Sequence, residues 1–237
     1  MALDHALALC VSSGSGVVRL YGWERPTVSF GRNEPAVGLY SLDAARERGI
    51  DYVRRPTGGR AVLHDKELTY AVAAPLRALG GPRVAYRRIN EALAGALRSL
   101  GAAVELSAAG AALAPDAGPC FQSPAEGEIV TAGRKLVGSA QARINGALLQ
   151  HGSIILSGDQ SVLGELCEGI GNPMEPATLE ETIERVTVDT VSEAVAESMK
   201  AVFGGSWSEG GYDGAEIDEA DRLEAERYAQ ESWTWRR

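Results

Sequence analysis

Basic residues are the scarcer charge in this 237-residue sequence, in which 23 lysines and arginines stand against 32 aspartates and glutamates. Binding to nucleic acid needs a basic face, so the net charge of −9 argues against it. No apolar run approaches the roughly 20 residues that a membrane-spanning helix needs. The first residues include Asp4 and no lysine or arginine, which is atypical of a signal peptide. The sequence therefore predicts a cytoplasmic protein with no nucleic-acid or membrane partner.

Cysteine and histidine are also sparse, with three of each. The cysteines are far apart in the chain, so no disulfide framework is indicated. The histidines are scattered and no cluster has the spacing of metal ligands, so no metal site is predicted. We interpret Cys10 and Cys167 as small apolar residues on helical faces. Cys120, in a loop rich in alanine, glycine and proline, remains a candidate nucleophile.

Apolar residues make up 45% of the chain, which is enough for a substantial core. Hydrophobic periodicity predicts helices at 1–11, 41–48, 86–100, 161–167, 179–186, 188–203 and 216–232, and strands at 17–21, 27–30, 51–54, 66–74, 128–130, 136–138, 147–149 and 153–156. No repeat or linker is evident, which predicts a single domain over residues 1–237. This order of elements favours an α+β fold with a central, mostly antiparallel mixed sheet flanked by helices.

The residues best suited to chemistry lie in 120–156, CFQSPAEGEIVTAGRKLVGSAQARINGALLQHGSIIL. Cys120 precedes one predicted strand, Lys135 falls in a tight loop after it, and His151 follows another strand. Between them is a predicted turn formed by Gly138, Ser139 and Ala140, and Gly152 follows His151. Glycines here allow hairpin turns or close approach of the backbone to a ligand. A thiol, an amine and an imidazole at neighbouring strand ends are groups that acyl transfer uses.

A second informative stretch, 54–65, reads RRPTGGRAVLHD. The adjacent Gly58 and Gly59 predict a turn whose backbone lies flat against a ligand. Arg54 and Arg55 precede this turn, and such a cluster suits a phosphate, a carboxylate or an acidic partner protein. Two interpretations of His64 remain open: a residue of the site, or a residue that pins the loop by bonding backbone carbonyls. Asp65 beside it either orients the imidazole or caps the next strand.

These two stretches resemble a known family. Residues 54–72 resemble the arginine–glycine-loop signature of the lipoate–protein ligase A-like superfamily, which also includes the biotin ligases, and residues 133–156 resemble its lysine loop and following hairpin. Weaker similarity extends over nearly the whole chain. The resemblance implies one biotin/lipoate-ligase-like catalytic domain without a C-terminal accessory domain. Because MALDHALAL matches a segment that usually follows another strand, it also implies an internal Met1 or a missing edge strand.

Within that superfamily, Cys120 ahead of the Lys135 loop resembles the LipM-type octanoyltransferases. The resemblance implies that Cys120 takes an octanoyl group from acyl carrier protein and passes it to a lysine of a lipoyl domain or glycine-cleavage H protein, without a cofactor. Lys135 would then stabilise the oxyanion. It further implies an acyl pocket with Gly58, Gly59, Val62 and Leu149 as walls and His151 as a lining residue.

Two rival functions remain open. The first is a lipoate–protein ligase that uses ATP and magnesium, with the arginine–glycine loop binding the adenylate. The second is a non-catalytic acyl-binding partner in a split enzyme. The basic residues also have a purely structural interpretation. Lys135 could be a solvated lysine in a turn, and Arg54 and Arg55 could be solvated charges at the end of a strand.

Overall fold

The computed structural model describes residues 1–12, 14–108, 126–167 and 176–237. Within these residues the strands are β1 (Val17–Tyr21), β2 (Thr27–Phe30), β3 (Asp51–Arg54), β4 (Val62–His64), β5 (Glu67–Pro75), β6 (Glu105–Leu106), β7 (Ile129–Thr131), β8 (Arg134–Ile144) and β9 (Ala147–Ile155). The α-helices are α1 (Ala2–Cys10), α2 (Leu42–Arg48), α3 (Pro82–Ser99), α4 (Val162–Leu166), α5 (Val188–Phe203), α6 (Gly214–Leu223) and α7 (Glu231–Thr234). A 3₁₀ turn at Leu179–Glu181 and a π-helical turn at Glu224–Tyr228 complete the elements.

The strands form two sheets. The larger has the order β1-β5-β9-β8-β7-β6 and is antiparallel throughout. The smaller has the order β3-β2-β4, in which β2 and β3 run parallel. The predicted α+β class with a mostly antiparallel sheet and flanking helices is confirmed, although a second, separate sheet was not predicted.

Alternation along β5 directs side chains to two different layers. Leu68, Tyr70 and Val72 pack with α3 and α5 in the largest apolar cluster. Ala71 and Ala73, between them in sequence, pack with α1 instead. Successive strand residues point to opposite faces, so the large sheet is covered by helices on both sides and all but one of the nine residues of β5 are buried.

Helix α3 is the longest helix, and its amphipathic pattern explains its position. Ile89, Leu93 and Leu97 repeat every four residues and are completely buried. They share a cluster with Val191 and Val195 of α5. The helix begins four residues earlier than predicted, at Pro82, where a proline is tolerated because the first turn needs no N–H partner.

Aromatic side chains fill the interior beside the small sheet. Phe30 stacks on Tyr52 with ring centroids 5.4 Å apart. Trp235, near the end of the chain, contacts both rings edge-on at 5.3 and 5.1 Å. Edge-on and offset contacts of this kind are favourable aromatic geometries. They fix the C-terminal segment against β2 and β3.

The predicted bounds of three strands are wrong, because Gly138 and Gly152 do not interrupt the hairpin of β8 and β9. The predicted strand at 136–138 is part of the eleven residues of β8, and those at 147–149 and 153–156 belong to the continuous β9. Gly152 lies within β9, paired with Tyr70 on one side and Ser139 on the other. The hairpin turns are at Ala132-Gly133 and Asn145-Gly146, where all four residues have positive φ, as type I′ turns require.

Two predicted helices also differ from the structure. Only Leu179–Glu181 is helical in 179–186, as a single 3₁₀ turn with a Thr178–Glu181 capping box. The β-branched Thr182 and Ile183 that follow are poor helix formers. The predicted helix at 216–232 is divided into α6, the π-helical turn and α7. The strands β4 and β6 were not predicted because each has only two or three residues.

Gly152 provides a test of the packing between β8, β9 and β5. A Cβ there would lie 2.1 Å from the Gly138 carbonyl oxygen and 2.7 Å from Cε1 of Tyr70. We expect Gly152→Ala to lower the free energy of unfolding by roughly 1–3 kcal/mol or more, the usual cost of overpacking an interior. Urea denaturation measures this change. Gly22→Ala is the control, because no atom lies within 4 Å of its Cβ position. Equal stability of the two variants would contradict the tight contact.

Candidate active site

Lys135 is the second residue of β8, and its side chain is almost completely buried. Its Nζ donates a hydrogen bond to Oε1 of Glu128 at 2.7 Å. A bulge adjoins this ion pair, since Ile129 pairs with Val137 and Val130 with Lys135. Bulges redirect side chains and are common beside active sites. Lys135 therefore lies in a buried ion pair on a strand. Its predicted position in a tight loop is wrong, and so is the alternative of a solvated turn lysine.

The Gly58-Gly59 turn makes a close backbone contact, as its sequence predicts, but with another segment of the protein. Gly59 has a φ of +90°, and a Cβ on Gly31 would lie 1.7 Å from the Gly59 carbonyl oxygen. Beside this contact the Arg32 N–H donates to the Thr57 carbonyl at 2.7 Å. The turn is thus held against the segment that follows β2. Gly58 is half-buried and Gly59 is exposed, and their contact with a ligand stays a prediction.

Arg54 is completely buried at the end of β3. Its Nε donates to the Thr234 carbonyl at 2.9 Å, and its Nη1 donates to the carbonyls of Gly31 and Glu34 at 2.6 and 2.8 Å. Its Nη2 is a buried nitrogen without a hydrogen-bond partner among the described residues. Burial, followed by the charge of Arg236, lowers the pKa of Arg54 to about 10. The alternative that Arg54 is a solvated charge is wrong.

Arg55 is buried as well and organises the loop around it. Its Nε and Nη2 donate to the Gly58 carbonyl at 3.2 and 2.9 Å, and Nη2 also donates to the Arg60 carbonyl at 2.7 Å. Its Nη1 donates to the Ser29 carbonyl at 2.7 Å and to Ser29 Oγ at 3.0 Å. The whole guanidinium therefore bonds the protein itself. Its solvated alternative is wrong too, and its contact with a substrate anion stays a prediction.

His64 joins the small sheet to the large one through side chains. Its Nε2 lies 2.7 Å from Ser29 Oγ, and its Nδ1 lies 2.8 Å from Glu67 Oε1. Trp23 stacks on the imidazole with centroids 4.4 Å apart. The pinning role is supported, but the partners are a hydroxyl and a carboxylate where backbone carbonyls were predicted. Asp65 is exposed, and it is Glu67 that contacts Nδ1.

Glu67 collects several hydrogen bonds at this junction. Besides His64, the hydroxyls of Thr69 and Ser153 donate to its carboxylate. The Trp23 indole N–H in turn donates to Thr69 Oγ1 at 2.8 Å. A buried carboxylate is tolerated when several donors surround it. Sequence reasoning missed Glu67, although an acidic residue opening an otherwise apolar strand was a usable signal.

His151 makes the second junction between the sheets. Its Nε2 lies 2.7 Å from Thr57 Oγ1, and its Nδ1 lies 3.2 Å from Asp4 Oδ2. Burial lowers the pKa of His151, although the bond to Asp4 opposes this shift. Burial alone would raise the pKa of Asp4, but the hydrogen bond from His151 and the charge of Arg19 hold it well below its usual range. An ionised Asp4 only accepts, so Nδ1 carries the proton and Nε2 accepts from the Thr57 hydroxyl.

These two junctions have the connectivity of a nucleophile, a base and an orienting acid. In one the order is Ser29, His64 and Glu67, and in the other Thr57, His151 and Asp4. Both hydroxyl residues are completely buried, at 0% exposure. A nucleophile has to reach a substrate carbonyl, so we assign both sets to structure rather than to catalysis.

The predicted residues of β8 and β9 face one another directly. Ser139 pairs with Gly152, and Ala140 pairs with His151. Gly138, which precedes Ser139 on β8, is buried, while Ser139 and Ala140 are half-buried. Together with the Thr57–His151 bond, this register brings 138–140, 151–152 and the arginine–glycine loop to one region of the protein. Lys135 lies three residues before Gly138 on the same strand.

The two apolar residues predicted to wall an acyl chain lie in separate places. Val62 packs against Ile155. Leu149 is completely buried between the large sheet and α1. Their contact with an acyl chain stays a prediction.

A polar network on the α3 side of the large sheet was not predicted. The Tyr70 hydroxyl lies 2.6 Å from Ser139 Oγ and accepts from Gln150 Nε2 at 2.9 Å. Ser139 Oγ donates to Oδ1 of Asn90, whose Nδ2 donates to the Gly127 carbonyl at 3.0 Å. Asn90 and Gln150 are polar residues in otherwise apolar patterns, which was the available signal. The network connects β8 to the segment just before Glu128.

The candidate nucleophile Cys120 lies outside the described residues, and its role stays a prediction. Cys167 is buried and Cys10 is exposed at the end of α1. In the described part of the chain, no three His, Cys, Asp or Glu side chains are grouped to hold a metal ion. Across the same residues, no helix combines the length and the apolarity needed to cross a bilayer.

Residues 1–200 match the family model described as lipoyl protein ligase A/B catalytic domain. The chain belongs to this family. Octanoyltransferase LipM of Moorella thermoacetica is 38% identical, with 100% of this chain and 93% of the relative covered. Octanoyltransferase LipM of Bacillus subtilis is 34% identical at the same coverage. The resemblance inferred from the two signature stretches is confirmed.

Solved structures of lipoate protein ligases share this fold. A lipoate-protein ligase A bound with ATP superposes with a TM-score of 0.85 at 24% identity, covering 99% of this chain and 92% of that one. A bi-partite lipoate protein ligase from Thermoplasma acidophilum gives a TM-score of 0.79 at 22% identity, with coverage of 99% and 89%. At these identities the likeness establishes the architecture alone.

The buried histidines predict a pH dependence of stability. Burial lowers the pKa of His151, and burial with the charge of Arg227 lowers that of His5 to about 4. In the unfolded chain these histidines take up protons near pH 6.5, whereas in the folded protein their lowered pKa opposes protonation. The free energy of unfolding therefore falls as the pH drops below that value. One pKa unit corresponds to about 1.4 kcal/mol, so His5, which stays neutral at pH 5, accounts for up to about 2 kcal/mol of lost stability at that pH.

Urea denaturation at pH 7 and pH 5 measures this loss. We expect His151→Gln and His5→Gln each to reduce the difference between the two pH values, because glutamine offers an amide donor and acceptor and does not titrate. Each single variant reports the share of its own histidine. Identical pH differences in the wild type and in both variants would contradict the assignment.

Proposed function

We propose that this protein is an octanoyltransferase of lipoate assembly that works through a thioester on Cys120. The observation that carries the proposal is its similarity, over the whole chain, to relatives named octanoyltransferase LipM. The buried Lys135–Glu128 pair beside a bulge supports it, because it places an ammonium on β8, the strand that also contains Gly138, Ser139 and Ala140. The proposed donor is octanoyl-acyl carrier protein, and the proposed acceptor is a lysine of a lipoyl domain or glycine-cleavage H protein.

In the first half-reaction the Cys120 thiolate attacks the thioester carbonyl of the donor. A new carbon–sulfur bond forms, the bond to the carrier sulfur breaks, and the carrier thiolate leaves and takes up a proton. Negative charge develops on the carbonyl oxygen in between, and a positioned donor there lowers the barrier. Lys135 is the proposed donor, because the bond to Glu128 fixes its ammonium group in place.

In the second half-reaction the neutral amine of the acceptor lysine attacks the acyl-enzyme. The carbon–nitrogen bond forms, the Cys120 thiolate leaves, and the amine loses a proton to give the amide. A thioester is exchanged for a thioester and then converted to an amide, so the energy of the donor thioester drives both steps. No nucleotide is consumed.

Arg54 and Arg55 offer few donors to a nucleotide in the arrangement described. All three guanidinium nitrogens of Arg55 donate within the protein. Two of the three nitrogens of Arg54 do the same, and its remaining Nη2 is enclosed in a buried side chain. Triphosphate recognition by arginine uses donors directed at the phosphate oxygens, so binding ATP here would require these loop contacts to break.

The thioester itself gives the decisive test. We expect the wild-type protein mixed with octanoyl-acyl carrier protein, without ATP, to gain one octanoyl mass in a hydroxylamine-labile bond. Cys120→Ser should gain almost none, because a serine hydroxyl at neutral pH is a far weaker nucleophile than a partly ionised thiol. Intact-protein mass spectrometry measures both. Cys10→Ser is the matched control and should load as the wild type does.

A different pattern would favour a rival function. An ATP-dependent ligase would acquire no mass from the carrier, would need ATP and magnesium in every turnover, and would keep its activity in Cys120→Ser. A non-catalytic partner of a split enzyme would modify no acceptor under either condition. Either result would overturn the transferase proposal.

Lys135 gives an independent test of the oxyanion role. Lys135→Ala should reduce the rate of Cys120 acylation by roughly 10²–10³-fold, the usual loss for one oxyanion donor. Lys135→Arg should restore little of this, since a planar fork differs in geometry from a compact ammonium. Rapid-quench measurement of the acyl-enzyme gives these rates.

Two controls separate catalysis from folding. Lys200→Ala removes an exposed ammonium that is paired with Glu197 on α5, and its acylation rate should match the wild type. Urea denaturation of Lys135→Ala measures the cost of leaving Glu128 without this partner, so that activity is compared only where the variant is folded. Full activity in folded Lys135→Ala would contradict the proposed role.

A further inference from the structure

Three arginines, Arg32, Arg227 and Arg236, form a basic surface that we call the arginine corner. The guanidinium groups of Arg227 and Arg236 lie 4.8 and 4.3 Å from the centroid of the Trp233 ring. Arg236 also donates through Nη2 to the Arg32 carbonyl. The side chains of Arg32 and Arg236 are exposed and that of Arg227 is half-buried. The corner thus combines residues from the segment after β2, the π-helical turn and the chain end.

The arginine corner lacks the carboxylate partners that several other surface arginines have, such as Arg48, Arg134 and Arg222. Among the described residues, no carboxylate oxygen lies within 4 Å of any of its three guanidinium groups. The nearby acidic residues of α6 and the following turn are engaged elsewhere, because Glu219 and Glu226 both pair with Arg222. The arginine corner is thus a positively charged patch on a chain whose net charge is −9.

The neighbouring groups respond to this positive potential. Burial and then the charge of Arg32 lower the pKa of Arg236. Arg236 likewise contributes, after burial, to the lowered pKa of Arg54. An anion bound beside these guanidinium groups would offset their mutual repulsion.

The corner adjoins the candidate active site. The Arg32 N–H donates to the Thr57 carbonyl, and Gly31 lies against Gly59. The Arg237 carbonyl accepts from the N–H groups of Ala36 and Val37, which holds the chain end against the same segment.

The π-helical turn Glu224–Tyr228 provides the position of Arg227. Such turns are rare and are frequent at functional sites. Here the turn places Tyr228 3.0 Å from Nδ1 of His5 and brings Arg227 Nη1 to 3.4 Å from the same nitrogen. Arg227 is thereby held beside α1 and Trp233 instead of extending freely into solvent.

We propose that the arginine corner docks the acyl carrier protein that donates the octanoyl group. This inference rests on the proposed transferase function. The donor presents the phosphodiester of its pantetheine arm together with acidic side chains, and arginine forks recognise both. A charged surface at the edge of a site raises the association rate of a complementary partner and makes that rate sensitive to salt.

The test compares three donors that share one thioester. Octanoyl-acyl carrier protein has the acidic protein and the phosphodiester, octanoyl-coenzyme A has phosphate groups only, and octanoyl-pantetheine has neither. For the double variant Arg227→Glu/Arg236→Glu we expect kcat/KM for Cys120 acylation by the carrier protein to fall about tenfold or more at low salt. With octanoyl-coenzyme A as donor, kcat/KM should fall less. With octanoyl-pantetheine it should stay within roughly twofold of the wild-type value, because this donor has no charged group to bind the corner.

Two further variants show whether the effect is specific to the arginine corner. Arg77→Glu/Arg185→Glu changes the net charge by the same amount at two exposed arginines away from the corner, and it should leave all three donors unaffected. The milder Arg227→Gln/Arg236→Gln should show a weaker loss with the carrier protein and a flatter dependence on salt. Equal losses with carrier protein and pantetheine, or an equal effect of the control pair, would overturn the proposal. So would a loss confined to transfer from preloaded enzyme to the lipoyl domain, which would assign the corner to the acceptor.

Binding separates this inference from the proposed function. Fluorescence anisotropy of labelled octanoyl-acyl carrier protein with Cys120→Ala reports docking without chemistry. Weaker binding to Cys120→Ala/Arg227→Glu/Arg236→Glu would support docking even if the wild type never forms an acyl-enzyme. Unchanged binding and unchanged acylation in the reversed variants would overturn docking while leaving the transferase proposal intact.

Discussion

The hydrogen bond between His151 Nε2 and Thr57 Oγ1 is the contact on which the candidate site depends. It joins β9 of the large sheet to the arginine–glycine loop that follows β3 of the small sheet. Asp4 on α1 completes the connection from the other side of the imidazole. All three side chains are buried, so a lost partner would leave a polar group without water or protein to bond. The loop geometry thus follows from an interior network that it shares with α1.

A second consequence of this arrangement is that Arg54 and Arg55 donate hydrogen bonds to backbone carbonyls of the protein and do not extend into solvent. Arg55 bonds carbonyls at Ser29, Gly58 and Arg60, and its Nη1 also donates to Ser29 Oγ next to His64. Because each of these bonds is directional, the loop backbone has few alternative conformations. Preorganised donors are what an acyl-transfer site needs for a developing oxyanion, and the contact of this loop with a substrate stays a prediction.

The sequence predicted the class of fold and most of the helices, because amphipathic periodicity is local information. It placed Lys135 in a loop because Gly133 marked a turn, but the turn consists of Ala132 and Gly133 alone and the strand begins at the next residue. The partners of the buried side chains could not be predicted. Glu128 lies seven residues from Lys135. Asp4 and His151 are separated by 147 residues, and the packing of α1 on the large sheet brings them together.

The pairing of Lys135 with Glu128 also constrains how the ammonium could act in catalysis. A carboxylate 2.7 Å away offsets much of the positive charge that an oxyanion would otherwise feel. The pair contributes chiefly direction, since an ammonium has three N–H donors and Glu128 Oε1 accepts from it along one line. In a buried site, fixed donor direction is valuable because no reorganisation is needed when charge develops. The same pairing explains how an ammonium is tolerated at 2% exposure, where an isolated charge would be very costly.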